Sequence, residues 1–216
     1  MPSLTTATSI LLDLLGSVLA PARCAACDAP VRRLAAFCPA CASTTERATP
    51  HPEVLAGFVY GGAIARAITR FKYESRPDLA RPLGDLVWTV IAPRASELRA
   101  SVVVPVPLHE GRLAERGYNQ AALLATRVAW RLGAPVRAMA LARLQDTPRQ
   151  ATLGRAARTT NVAGAFRPRQ PAAIAGREVL LVDDVRTTGS TLEACVAALR
   201  GAGALIVRAA VLAQAE

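Results

Sequence analysis

Thirteen consecutive residues near the end of this 216-residue chain limit its fold more than any others. From Val179 to Thr191 they read VLLVDDVRTTGST. The leading apolar run makes a strand buried on both faces, and two carboxylates, Asp183 and Asp184, stand at its carboxyl end. Thr187, Thr188, Gly189, Ser190 and Thr191 then lead directly into a helix. In a parallel sheet, ligands sit outside the carboxyl ends of the strands. A loop of small residues ahead of a helix offers backbone N–H groups and hydroxyls to one phosphate, aided by the helix dipole. Gly189 lets the backbone come close. Adjacent carboxylates cannot bind a phosphate, but they grip sugar hydroxyls or a Mg2+ that the ligand carries. A phosphate beside a polyol is the signature of a ribose 5-phosphate. The Gly-x4-Gly-Lys-Ser/Thr pattern of a Walker loop is absent.

The remaining pattern supports the same fold class. Strands are expected over Val54–Tyr60, Ser101–Val106, Glu178–Asp183 and Ala204–Leu212. Helices are expected over Gly61–Phe71, Pro77–Ile91, Arg116–Leu132 and Ser190–Gly201. Continuous apolar strands separated by helices predict an α/β fold, a parallel sheet flanked by helices. The segment Gln145–Thr160 is polar, arginine-rich and weakly periodic, which predicts a flexible loop.

Composition excludes two broad classes. Hydrophobic residues make up 52% of the chain, which is too many for a disordered protein. No run of about 18 uncharged apolar residues exists, so no membrane insertion is expected. Ile10–Ala20 reads ILLDLLGSVLA, with large residues at helical spacing and Asp13 inside the run. It predicts an amphipathic docking helix capped by Thr8 or Ser9, with a signal peptide as the alternative, and a cytoplasmic protein. The net charge is +10, and Lys72 is the lone lysine among 26 basic residues. Residues 1–60 are neutral, while residues 111–170 hold eleven Arg against Glu115 and Asp146. That concentration points to a polyanion, either a polyphosphate ligand or nucleic acid.

Cys24, Cys27, Cys38 and Cys41 follow the spacing C-x2-C-x10-C-x2-C. Two such knuckles complete a tetrahedron around Zn2+, and four thiolates leave no open position for a substrate. The expected role is structural, since this turn-rich stretch has too little core to fold alone. A pair of disulfides is the other use of such a set, and it requires an oxidising compartment. Cys195 stands apart at core-facing spacing. The expected division is a helix and four-cysteine zinc ribbon over residues 1–50 and an α/β domain over residues 51–216.

VLLVDDVRTTGST resembles the phosphoribosyl pyrophosphate (PRPP) motif of type I phosphoribosyltransferases, with Arg186 where that motif usually carries an apolar residue. PVPLHEGRLAERGYNQ (Pro105–Gln120), RLQDTPRQATLGRAARTTNVAGAF (Arg143–Phe166), FKYES from Phe71 and LLDLLGSVLAPARCAAC at the start are together similar to the ComF family. That competence-associated, amidophosphoribosyltransferase-like family carries an N-terminal zinc ribbon.

The resemblance implies roles for individual residues. Asp183 and Asp184 would contact the ribose hydroxyls. Val185, Arg186, Thr187, Thr188, Gly189, Ser190 and Thr191 would surround the 5-phosphate. Pro107, Leu108 and His109 would form the pyrophosphate loop, which often contains a cis peptide in this family, with Arg112, Arg116 and Lys72 as its cations. Arg149, Gln150, Arg158 and Asn161 fall in or beside the segment that would close over a substrate. The implied activity is Mg2+-dependent transfer of 5-phosphoribose to an acceptor, linked to DNA uptake in natural transformation. The alternative is a non-catalytic protein that senses PRPP or a nucleotide, or binds single-stranded DNA beside a helicase-like partner.

Overall fold

The computed structural model describes residues 22–32, 34–51, 53–98, 101–145 and 164–215. The helix expected over Ile10–Ala20 lies outside them, as does nearly all of Gln145–Thr160. In chain order the elements are α1 (Pro39–Ala42), β1 (Val54–Val59), α2 (Gly62–Tyr73), α3 (Ala80–Ile91), α4 (Ala95–Leu98) and β2 (Val102–Pro105). There follow α5 (Glu110–Arg116), α6 (Gln120–Leu132), β3 (Leu141–Arg143), β4 (Phe166–Pro168), β5 (Glu178–Arg186), α7 (Ser190–Gly201) and β6 (Ile206–Gln214).

The main sheet has the order β1-β6-β5-β2, and every pair in it is parallel. Its two faces are buried differently. On one, Val103, Leu180, Val182 and Leu212 pack against Leu83, Val87 and Ile91 of α3 and Leu124 and Val128 of α6. The four-residue spacing within each helix places those side chains on one stripe. On the other face, Val102, Val104, Val179, Leu181 and Val211 meet Leu192, Cys195 and Leu199 of α7. The antiparallel pair β3–β4 adds Leu141 and Phe166 to that layer. Cys195 is fully buried there, as its spacing predicted.

Neither edge of the sheet is bare. Segment 46–48 lies along the outer side of β1, where Ala48 N–H donates to Gly57 O at 3.3 Å and Val59 N–H to Glu46 O at 2.9 Å. On β2, Val103 exchanges bonds with Pro135 O and Arg137 N–H, each at 2.9 Å.

Several elements differ from expectation. The helix expected over Arg116–Leu132 starts at Gln120, because Arg116 ends α5, the chain turns left-handed at Gly117 (φ 78°) and Asn119 caps α6 through the N–H groups of Ala121 and Ala122. The strand expected to stop at Asp183 continues to Arg186, since β6 pairs with it as far as Val185↔Ala213 and Arg186↔Gln214. The aspartates therefore sit within a paired strand. The β3–β4 pair has three residues per strand, too few to leave a periodic signal.

Leu180 is completely buried at the centre of the sheet. Leu180→Ala should destabilise the protein by about 3 kcal/mol in urea unfolding, with an unchanged m-value.

Candidate functional site

The carboxyl ends of β2 and β5 lie side by side, in register at Pro105↔Val182. Val106 N–H continues the pairing onto Val182 O at 2.9 Å, and Asn119 Nδ2 donates to Val106 O at 3.0 Å. These bonds fix the turn of Pro107, Leu108 and His109 beside Asp183. All described peptide bonds are trans, so the cis peptide that the resemblance suggested is not found in this turn. His109 Nδ1 accepts from Gly111 N–H at 3.3 Å, so this ring caps α5.

Asp183 and Asp184 divide their surroundings unequally. Asp184 is buried, and Lys72 Nζ at the end of α2 approaches its Oδ2 to 2.5 Å. That contact is an ion pair; Oδ2 has no partner at hydrogen-bonding angles. Asp183 Oδ1 accepts the Asp184 N–H at 2.8 Å. Desolvation, and then the neighbouring Asp184 charge, push the Asp183 carboxyl up to about 8, against the pull of Lys72.

Beyond the aspartates, Thr187 is exposed and Thr188 Oγ1 lies 3.0 Å from Ser190 Oγ. Ser190 and Thr191 open α7, whose first N–H groups face the loop end. Val185 is half-buried against the core, and Arg186 leaves the motif to donate to Gln214 Oε1 at 3.0 Å. Arg186 and Gly189 instead line a separate 460 Å³ cavity between α7 and the β1–β6 side of the sheet, with Val54, Leu192 and Val207. This cavity contains neither aspartate.

Arg116 donates to Gln120 Oε1 at 2.6 Å and stacks 5.2 Å from the Tyr73 ring. Burial pulls its guanidinium below the usual arginine value, opposed by Asp184 and reinforced by Arg112. Lys72 and Arg116 thus share the field of Asp184, and Arg112 acts on Arg116. Other arginines of the basic stretch are occupied elsewhere: Arg127 and Arg131 both pair with Asp85, at 2.8 and 3.0 Å. Gln120 is buried with its Nε2 unpartnered, a site feature that no sequence pattern announced. Arg149, Gln150, Arg158 and Asn161 lie outside the described residues.

The four cysteines form a second cluster. Ligand atoms of Cys24, Cys27, Cys38 and Cys41 all lie within 4.8 Å of one another, so the set could hold a metal ion such as zinc. Tetrahedral Zn–S bonds of about 2.3 Å require sulfurs about 3.8 Å apart, and Cys27 Sγ and Cys38 Sγ are 3.7 Å apart. Burial opposes ionisation of Cys24, yet surrounding N–H groups bring it down to about 6. The Ala29 N–H favours the Cys27 thiolate, but the other cysteines push that thiol up to about 12. One proton leaves such a cluster readily, and the rest leave when a cation replaces them.

Asp183 has a direct effect on stability. Its carboxyl ionises near 3.8 when unfolded and near 8 when folded. The folded state therefore holds the extra proton between these values, and stability falls as pH rises through them. Asp183→Asn should melt about 3 °C or more above the wild type at pH 8, with the gap closing towards pH 4. Differential scanning calorimetry across that range checks it.

Residues 119–216 match the phosphoribosyl transferase domain family. The chain is 35% identical to competence protein F of Haemophilus influenzae over 144 residues, 63% of this chain and 61% of that one. It is 28% identical to the DNA utilization protein YhgH of Salmonella typhimurium over 199 residues, covering 86% and 87% of the two chains. A solved structure of glutamine PRPP amidotransferase from B. subtilis is 24% identical at a TM-score of 0.44, covering 65% of this chain and 30% of that one. The chain thus combines a parallel sheet, an aspartate-bearing β5 and an N-terminal four-cysteine cluster with a phosphoribosyl transferase domain match over residues 119–216 and similarity to competence and DNA utilization proteins.

Proposed function

We propose that this protein binds PRPP with Mg2+ at the carboxyl end of β5 and transfers its 5-phosphoribose to an acceptor, in the service of DNA uptake. The observation that carries this reading is the Asp183–Asp184 pair at the head of the Thr187–Thr191 loop, with Lys72 drawn onto Asp184 at 2.5 Å. The aspartates grip the ribose hydroxyls, and the N–H and hydroxyl groups from Thr187 to Thr191 hold the 5-phosphate. The pyrophosphate lies towards Pro107, Leu108 and His109, within reach of Arg112, Arg116 and Lys72.

In the transfer, the bond between ribose C1 and the pyrophosphate oxygen breaks, and its electron pair leaves with the pyrophosphate. An acceptor lone pair closes on the oxocarbenium-like centre. No covalent enzyme intermediate is needed, so the contribution of the chain is fixed positive charge around the leaving group. Mg2+ adds charge neutralisation on the pyrophosphate oxygens when bound. Placing these reactants between fixed groups removes the entropic cost of their encounter.

Titration calorimetry of the metal-loaded protein tests the site. PRPP binding is expected to depend on Mg2+ and to disappear in the folded Asp183→Asn/Asp184→Asn double variant. Retained affinity in that variant would overturn the assignment. For the wild type, Mg2+-dependent binding justifies a screen of nucleobases and small amines for pyrophosphate release.

Zinc is the metal we assign to Cys24, Cys27, Cys38 and Cys41, in a structural role. Metal analysis should return about one zinc per chain, and its chelation should unfold the knuckles.

A second reading is a non-catalytic protein that senses PRPP or a nucleotide, or binds single-stranded DNA with a helicase-like partner. One surface favours DNA: Trp130 is 67% exposed, flanked by the guanidinia of Arg127 at 4.5 Å and Arg131 at 5.3 Å. The names of the relatives, a competence protein and DNA utilization proteins, support the wider setting. The PRPP site requires neither this surface nor DNA.

A further inference from the structure

Lys72 lies in the last turn of α2, and groups from distant parts of the chain hold the backbone on both sides of it. Two residues earlier, Arg70 pairs with the carboxylate of Asp28 and donates to Ala25 O at 3.1 Å. Four residues later, Arg76 donates to both oxygens of the same carboxylate, at 3.0 and 3.1 Å. One carboxylate thus straddles Lys72. It ties the last turn of α2 to the segment beyond it, including the corner at Ser75 (φ 49°). Between the two arginines, Phe71 O accepts the Tyr118 hydroxyl at 2.5 Å, which ties the same turn to the segment leading into α6.

Asp28 is in turn fixed by the first cysteine knuckle. It follows Cys27 directly, its N–H donates to Cys24 O at 2.9 Å, and its backbone is left-handed at φ 60°. That conformation is uncommon for a non-glycine residue and persists where its surroundings impose it.

The start of α2 rests on the second knuckle. Ala63 N–H donates to Thr44 Oγ1 at 3.0 Å, and Arg66 Nη2 lies 3.6 Å from Cys41 Sγ. At Gly62 a Cβ would sit 2.0 Å from Thr44 O, so only glycine permits this approach. The helix is therefore anchored to the four-cysteine module at both ends, and its last turn presents the ammonium that meets Asp184.

We propose that Asp28 is a positioning residue, which acts through Arg70 and Arg76 to hold Lys72 against Asp184. Metal at the four cysteines and ligand at the aspartate pair are then thermodynamically coupled. The proposal rests on the reading of that pair as the PRPP site. Removing the metal frees the knuckle that sets Asp28, the clamp opens, and the Lys72 ammonium is no longer fixed where an anion over the aspartates needs it. Coupling is reciprocal, so a ligand that uses the placed ammonium also tightens the hold on the metal.

The test titrates Mg2+ and PRPP into four zinc-loaded full-length proteins: wild type, Asp28→Asn, Lys72→Met and the double variant. Asp28→Asn is expected to keep its zinc and to bind PRPP about tenfold more weakly. In the Lys72→Met background the same change should alter affinity by less than about twofold, because the clamp then has no ammonium to place. A second readout is the rate at which a zinc-chelating dye strips the metal. Saturating Mg2+ and PRPP should slow that rate in the wild type and leave it unchanged in Asp28→Asn.

Equal weakening in both backgrounds, or full affinity in Asp28→Asn, would overturn the coupling. Absence of PRPP binding by the wild type would remove its basis, and the first titration distinguishes that failure from the others. If Asp28→Asn loses its zinc, Arg76→Gln probes the clamp from the side remote from the cysteines, with the same non-additivity expected.

Discussion

The contact between Lys72 and Asp184 is the constraint on which the site depends. It joins the end of α2 to the end of β5, two elements far apart in sequence, across the mouth where the sheet delivers its carboxyl termini. A buried carboxylate beside a second one is unfavourable without a counter-charge. Lys72 supplies that charge to Asp184, while desolvation and the Asp184 charge make the Asp183 carboxyl harder to ionise. The two carboxylates thereby meet unequal surroundings, one of them paired with an ammonium. Arg116, desolvated and stacked near Tyr73, extends the positive side of this arrangement towards the turn at Pro107.

The fold supplies the precision that such a charge arrangement needs. Strand β5 has paired neighbours on both sides, and its pairing with β6 continues beyond the aspartates. The backbone that carries Asp183 and Asp184 is consequently still held by β6 beyond the point where β2 ends. On the opposing side, α2 is fastened by the cysteine knuckles and by Tyr118. The two halves of the ion pair are thus presented from supports that are each fixed independently.

Local signals made much of this legible in the sequence. The apolar run ahead of Asp183 and the small residues up to Thr191 identified the strand, loop and helix, and Ser190–Gly201 is α7 with the expected ends. The cysteine spacing likewise foretold the four-sulfur cluster. Lys72 stood out because arginine supplies every other cation, and it proved to face Asp184. What stayed hidden depends on tertiary placement. The extension of β5 comes from its pairing with β6, and the split between α5 and α6 rests on the backbone at Gly117 and the Asn119 side chain. The Asp28 clamp joins residues more than forty positions apart, and neither end carries a pattern that names the other. Arg186 departs from the motif's usual apolar residue, and its side chain turns to Gln214.

The segment that joins the cysteine module to the sheet does more than connect them. By lying along β1, residues 46–48 occupy the hydrogen-bonding groups that an exposed edge strand would offer to another chain. Residues 135–137 do the same for β2. Both margins of the main sheet are covered by irregular stretches, so among the described residues that sheet offers no bare edge for strand-by-strand growth. The linker at β1 is also the one that leads from the cysteine module. Integrity of that module and protection from self-association consequently share one short piece of chain.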